Sequence, residues 1–265
     1  MKNEIKVIIE EDIHSKNYII NNYSKKFYGY LKSSNSTFFI NNKKVELDIQ
    51  LKKDDVYEIH YFNKEKNTTK INKEINIIYE TDDILIVDKP YDLLTIPSRN
   101  EIDSLYSRVI FYREFDSINC LTRLDKTTRG LVLFVKKHYL VDKIEIVKKE
   151  YLAKCSNYLK EEEGIINLPI FKSDTIKRVV DKDGKESITK YKLVDKDNYI
   201  YKLELLTGRT HQIRVHLSYN NCPINGDVLY GSKVEGELML ICNKLTFKDP
   251  KTNELIEVDS KYQME

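Results

Sequence analysis

The chain has 265 residues, long enough for one large domain beside a small one, and its 41% hydrophobic and 32% charged residues are those of a globular protein with a real core. With 44 Lys and Arg against 42 Asp and Glu, the formal charge is only +2, so total charge does not announce a nucleic-acid partner. Four widely spaced cysteines, Cys120, Cys155, Cys222 and Cys242, contain no C-x-x-C pair, which removes zinc and dithiol chemistry from consideration.

Scattered thiols fit a reducing compartment. The start, Met1-Lys2-Asn3-Glu4-Ile5, carries charges and lacks the apolar segment of a secretory signal. No run approaches the roughly 18 to 20 apolar residues of a membrane span. A cytoplasmic protein without a membrane partner is expected.

Residues 1–70 are rich in Asn, Lys and Tyr and are expected to form a small N-terminal domain. Thr37-Phe38-Phe39-Ile40 and Val56-Tyr57-Glu58-Ile59 read as strands, with a hairpin turn at Asn41-Asn42-Lys43-Lys44. The polar stretch from Asn63 to Asn76 reads as a linker into a second domain, 74–265. That domain opens with strand-like runs at Ile77–Glu80 and Ile84–Pro90 around an acidic turn, Thr81-Asp82-Asp83. A helix is predicted from Asp103 to Phe115, with Asp103 near its N-cap. Leu131–Val135 is a buried strand, and Tyr139–Val147 is predicted helical. Strands follow at Tyr151–Cys155 and Tyr199–Leu206, then a turn at Thr207-Gly208-Arg209 and a helix from Thr210 to about Tyr219. Leu238–Ile241 and Leu245–Phe247 close a sheet. Strands dominate and helices interleave irregularly, which makes the fold class α+β.

Charge is unevenly spread. From Arg123 to Lys149, eight Lys or Arg face Asp125, Asp142 and Glu145, a local balance of +5, the kind of cluster an RNA partner needs. Asp125 lies in a polar turn that feeds a buried strand, a common seat for a catalytic carboxylate. On position alone, an Asp capping its own turn is the commoner reading. In Thr207-Gly208-Arg209-Thr210-His211-Gln212-Ile213-Arg214-Val215-His216, Gly208 can make the turn and Thr210 can cap the helix. His211 and Arg214 then share one face, while Ile213 and Leu217 point to the core. His211 and His216 are five apart and do not form a zinc pair of the i,i+4 type. The segment suits a phosphate at a helix N-terminus and, equally, an ordinary amphipathic helix. Tyr151 opens a strand, and in a chain with 19 tyrosines packing is its default role. There is no G-x-G-x-x-G, no G-x-x-x-x-G-K and no nucleophile elbow. What remains is a carboxylate, arginines and aromatics beside a basic patch, a set that suits cofactor-free chemistry on a nucleobase.

From about Ile77 onward the chain resembles the RluA-like family of pseudouridine synthases, through five blocks in family order. They are Ile78-Tyr79-Glu80 through Val87-Asp88-Lys89-Pro90; Thr122-Arg123-Leu124-Asp125-Lys126 with Gly130-Leu131; and Lys149-Glu150-Tyr151-Leu152-Ala153. Then come Thr207 to His216 with Pro223-Ile224-Asn225-Gly226-Asp227 and Tyr230-Gly231, and finally Leu245-Thr246-Phe247-Lys248-Asp249-Pro250. The resemblance implies a mixed, mainly antiparallel sheet and isomerisation of uridine in rRNA or tRNA, with no cofactor and no metal. It implies Asp125 as catalytic carboxylate, Tyr151 stacking on the uracil, and Arg214 pairing with Asp125 and favouring its ionised form. It implies a flipped base whose place Arg123 takes, with Arg209, His211 and Gln212 among the substrate-binding residues. The enzyme is expected to act as a monomer. The N-terminal part looks faintly like the small RNA-binding domain akin to ribosomal protein S-four.

Three positions depart from the family pattern: Thr122 stands for a His, Arg129 for a Ser or Thr, and Ile241-Cys242 for a His-Ala pair. They bear on substrate identity more than on the reaction. The alternative is a weak or inactive RNA-binding or ribosome-assembly protein on the same fold, although such a module has no need of a carboxylate facing phosphates. A metal-dependent nuclease built on Asp82, Asp83 and Asp125 is a third, poorer reading.

Overall fold

A computed structural model describes residues 2–62, 68–112 and 118–264. The first part runs β1 (Lys2–Ile8), β2 (Ile13–His14), α1 (Ser15–Asn22), α2 (Lys25–Ser33), β3 (Thr37–Ile40), β4 (Lys43–Val45), β5 (Gln50–Leu51) and β6 (Val56–Phe62). Strands β1-β6-β3-β4 form an antiparallel sheet. The hairpin turn is tighter than expected: Asn41 and Asn42 make it alone, at φ 50° and 65°, a conformation asparagine tolerates, and Lys43 and Lys44 already pair in β4. Both helices escape the sequence reading because they are short. Ser24 starts α2 by accepting a hydrogen bond from Phe27 N at 2.9 Å. Phe27, Tyr28 and Leu31 then pack with Ile5, Ile19, Tyr57 and Tyr61 in a core of their own.

The second part holds β7 (Asn76–Glu80), β8 (Ile84–Lys89), α3 (Leu105–Tyr112), β9 (Asn119–Cys120), β10 (Arg129–Val135), β11 (Ile146–Lys154), β12 (Glu163–Asn167), β13 (Ile170–Lys172), β14 (Arg178–Val180), β15 (Ile188–Asp195), β16 (Ile200–Leu205), α4 (Gln212–Tyr219), β17 (Leu240–Lys248) and β18 (Leu255–Asp259). Its large sheet runs β12-β15-β16-β11-β17-β10-β8-β7, with β18 on β17 and β9 on β10. Every pairing is antiparallel except β10 with β17, where Arg129 and Gly130 lie parallel to Ile241 and Cys242. The sheet is therefore mixed and mainly antiparallel, and the fold is α+β.

The runs Ile84–Val87 of β8 and Leu131–Val135 of β10 are apolar without interruption because both faces of the sheet are covered. Ile84, Ile86, Leu131 and Leu133 face one core with Ile213 and Leu217 of α4. Their neighbours Leu85, Val87, Val132 and Phe134 face the other, under α3.

Several boundaries differ from expectation. Residues 139–147 do not form an α-helix: His138–Lys143 is a 3-10 helix, and β11 begins at Ile146, which pairs with Phe247 of β17 ahead of an irregularity at Val147. Helix α3 is capped by Ser104, whose Oγ accepts from Ser107 N, while Asp103 instead binds Arg108. Its predicted end at Phe115 and the linker residues 63–67 lie outside the described residues. The two closing runs form one strand, β17.

Candidate active site

Asp125 stands on a loop pinned from both sides. Thr95 Oγ1 accepts from Leu124 N at 3.1 Å and donates to Leu124 O at 2.7 Å. Lys89 Nζ, fully buried, donates to Lys126 O, Pro90 O and Leu93 O, each at 2.8 Å. Burial pushes the Lys89 pKa down to about 7, against the pull of Asp125 and Asp92. The turn itself closes through the backbone, Thr128 N to Asp125 O at 3.1 Å. Among the described residues no hydrogen bond ties the Asp125 carboxylate to its own turn, so the capping role is not what the side chain does. Gly130 then enters β10 at φ +111°, where a Cβ would fall onto the Cys242 carbonyl.

The carboxylate faces a cleft of about 380 Å³ whose walls include Arg123, Lys149, Tyr151, Arg209, His211 and Arg214. Its Oδ2 lies 3.8 Å from His211 Nε2 and 4.0 Å from an Arg214 nitrogen. Arg214 is buried on α4, and its firm partner is a residue given no role in the sequence reading. Asp227, 1% exposed, accepts from Arg214 Nε and a terminal nitrogen, both at 2.8 Å. Burial works against the charged guanidinium, but the Asp227 bonds outweigh it and raise its pKa. The expected Arg214–Asp125 pair thus exists only at its outer limit. A buried guanidinium demands a carboxylate with fixed geometry, and Asp227 supplies it. Gly226, at φ +77°, precedes it where a Cβ would strike the Glu237 carbonyl.

Helix α4 starts at Gln212, two residues later than expected. Thr210 does not cap it. His211 holds the N-cap position at φ 58° with no side-chain cap bond, so it does not share a helical face with Arg214. Gln212 also departs from expectation. Its Oε1 accepts from Thr207 Oγ1 and Arg209 N, and its Nε2 donates to Ile188 O and Thr189 Oγ1. That amide is fully committed to fastening the loop before α4 and has no group left for a substrate. Arg209 and Arg123 are exposed at the cleft; Arg209 Nε donates to Glu186 O at 3.1 Å. His216 is buried between Thr189 Oγ1 and Leu168 O, away from any ligand role.

Tyr151 is 5% exposed, on β11 opposite Cys242 of β17. Burial pushes its phenol well above the ordinary value, and the Cys242 thiol adds to this, so the ring meets the cleft as a neutral group. The basic patch is less open than its count suggests. Lys126, Arg129, Lys136, Lys137 and Lys148 are paired with Glu101, Glu237, Glu80, Asp83 and Glu150. Lys149 faces the cleft instead.

The departures from the family pattern are accommodated. Thr122 Oγ1 accepts from Leu133 N at 2.9 Å. Arg129 pairs with Glu237 and lies over the rings of Tyr91 and Tyr262. Asp82, Asp83 and Asp125 do not assemble a metal site. Asp83 is held by Lys137 and Lys251, and the single metal-like cluster among the described residues is Glu4, Glu58 and His60, where Lys6 Nζ already sits 2.7 Å from Glu58.

The family model described as RNA pseudouridylate synthase matches residues 83–219, more than half of the chain, from the turn before β8 to the end of α4. The chain belongs to this family. Its relatives place it in the RluA-like branch. It is 30% identical over 196 residues to the dual-specificity RNA pseudouridine synthase RluA of Vibrio cholerae, covering 68% of this chain and 79% of that protein. It is 29% identical over 250 residues to the RNA pseudouridine synthase YjbO of Bacillus subtilis, covering 87% and 88%. The human RNA pseudouridylate synthase domain containing 1 shares the fold at a TM-score of 0.59 and 22% identity, over 71% of this chain and 84% of that one. As an RNA pseudouridine synthase the protein is an isomerase acting on RNA. The matched region ends before Asp227 and Tyr230, which complete the site from outside it. Among the described residues no helix is long and apolar enough to cross a membrane.

Proposed function

We propose that this pseudouridine synthase converts uridine in structured rRNA or tRNA to pseudouridine, with Asp125 as the catalytic carboxylate. The observation that carries the reading is the convergence of Asp125, Tyr151, His211 and Arg214 on one cleft of nucleoside size. The reaction breaks the bond from the sugar to N1 and forms one to C5; the C5 proton is lost and N1 gains one. It is a net isomerisation and consumes no cofactor.

The target base leaves its helix to reach the cleft. Tyr151 stacks on the uracil, an interaction worth roughly 1–3 kcal/mol per base. Arg123, exposed at the mouth, fills the gap left in the helix, while Arg209 and Lys149 meet phosphates. Arg214 orients Asp125 and supplies positive charge beside it.

The same proposal divides the chain into an N-terminal RNA-binding domain, 1–70, and a catalytic domain, 74–265. The aromatic contacts of Tyr23 and Phe27 with Tyr139, and the Lys26–Asp142 ion pair, support a fixed relation between the two. We take the enzyme to act as a monomer in the cytoplasm, where its four free cysteines stay reduced.

Comparing pseudouridine maps of rRNA and tRNA from cells with and without the gene tests the substrate. Loss of one or a few sites without the gene is expected. Identical maps in both RNA classes would refute the reading.

A further inference from the structure

Tyr230 touches both side chains that face Asp125. Its hydroxyl lies 2.9 Å from His211 Nδ1, and the two rings meet edge to face. Its ring lies 4.9 Å from the centre of the Arg214 guanidinium. It ends the 3-10 segment Val228–Tyr230, whose N-cap is Asp227, the holder of Arg214.

The hydroxyl has a second neighbour, the backbone N–H of Arg178 on β14, at 2.8 Å. A backbone N–H can only donate, so the Tyr230 oxygen accepts there and its own hydrogen is left over. Among the described residues the acceptor it meets is His211 Nδ1. A neutral imidazole whose Nδ1 accepts carries its proton on Nε2. That nitrogen is the one 3.8 Å from Asp125 Oδ2. The other tautomer would turn a lone pair toward the carboxylate and leave the Tyr230 hydrogen unmatched. The backbone is consistent with a ring held for a purpose: His211 sits at φ 58°, an uncommon conformation for a residue with a side chain, and no cap bond compensates.

We propose that Tyr230 is a positioning residue that fixes His211 as its Nε2–H tautomer, so that a neutral N–H donor faces the Asp125 carboxylate. The proposal rests on Asp125 being the catalytic group. A neutral donor orients the carboxylate without placing a second full cation beside Arg214. The groups around the imidazole are Asp125 from the loop before β10, Arg178 from β14, Arg214 from α4, and Asp227 and Tyr230 from the 3-10 segment. Burial lowers the His211 pKa most; Asp125 and Asp227 oppose it, and Arg214 and Arg178 add to it, with a net lowering. The imidazole is therefore neutral at pH 7. Removing the Tyr230 hydrogen takes away a bond made only to the neutral form, so the pKa must rise.

The test is two-dimensional NMR of the full chain labelled with nitrogen-15 histidine, for wild type and Tyr230→Phe. The phenyl ring keeps the support under Arg214 and removes only the hydroxyl. In wild type, His211 should be protonated on Nε2 and bare on Nδ1. In Tyr230→Phe it should sample both tautomers and titrate higher by roughly one pH unit. His216, held by Thr189 and Leu168, should not change and reports that the variant is folded. A wild-type His211 protonated on Nδ1 overturns the proposal, and that result needs no variant. Unchanged tautomer and titration in Tyr230→Phe overturn it too. The spectra are independent of turnover, so an Asp125→Asn enzyme that still forms pseudouridine would refute the catalytic assignment separately, whatever tautomer is seen.

Discussion

Arg214 grips Asp227 through two hydrogen bonds of 2.8 Å and stands 4.0 Å from Asp125. One guanidinium thus serves two carboxylates, and the buried one sets its direction. The Asp227 bonds fix the cation beside Asp125, which is the preorganisation that the proposed electrostatic role needs.

Asp227→Ala removes that grip and leaves Arg214 a buried cation without its bidentate partner. The variant is expected to lose about 3 kcal/mol of stability, read by urea denaturation. Its turnover should fall about 100-fold, because a shift of about 1 Å in a positioning group is enough for that. Asp227→Asn, which keeps one acceptor, should lose less of both.

Lys89 predicts a pH dependence. Its folded pKa, about 7, lies below the ordinary 10.5, so between those values the unfolded chain binds more protons than the folded one. Stability contributed by this residue is therefore lowest below pH 7 and rises as pH climbs through 7, with a slope of at most about 1.4 kcal/mol per pH unit. Urea midpoints at pH 6 and pH 9 should show this rise in wild type. Lys89→Met should lack it and, with three carbonyls left unmatched, be less stable at every pH.

Tyr151 is expected to act through its ring. Tyr151→Phe loses the contact with the Cys242 thiol and should keep most activity. Tyr151→Ala removes the stacking face and should weaken transition-state binding by about 1–3 kcal/mol, measured as kcat/KM on an RNA substrate. Equal losses in both variants would assign the work to the hydroxyl.

Strands β8 and β10 were legible because burial on both faces writes uninterrupted apolar runs, as in Ile84–Val87 and Leu131–Val135, whereas β12, β15 and β18, which expose alternate residues, were not. The short helices α1 and α2 were not, since eight or nine residues hold too few turns for a clear period. The stretch 139–147 carries a helix-like pattern, yet pairing with β17 overrides it from Ile146. At the site, Asp125, Tyr151 and Arg214 were singled out by the family resemblance, since position alone favours a turn cap for Asp125 and packing for Tyr151. Thr95 was not, and Asp227 and Tyr230 stood in a family block without a role, because the work of all three is to hold other residues. Such a role depends on partners 13 to 29 positions away in sequence, which spacing does not reveal. Gln212 shows the reverse error. It stands inside the most specific motif, and its amide is spent on the loop.

If Asp125 performs the chemistry, replacing its carboxylate by an amide abolishes conversion and leaves RNA binding intact. The direct measurement is chemical mapping of pseudouridine in unmodified rRNA and tRNA incubated with wild type or Asp125→Asn, alongside RNA binding by both. Wild type should convert specific uridines, and Asp125→Asn should convert none while still binding the RNA. Conversion by Asp125→Asn at the wild-type rate would contradict the account.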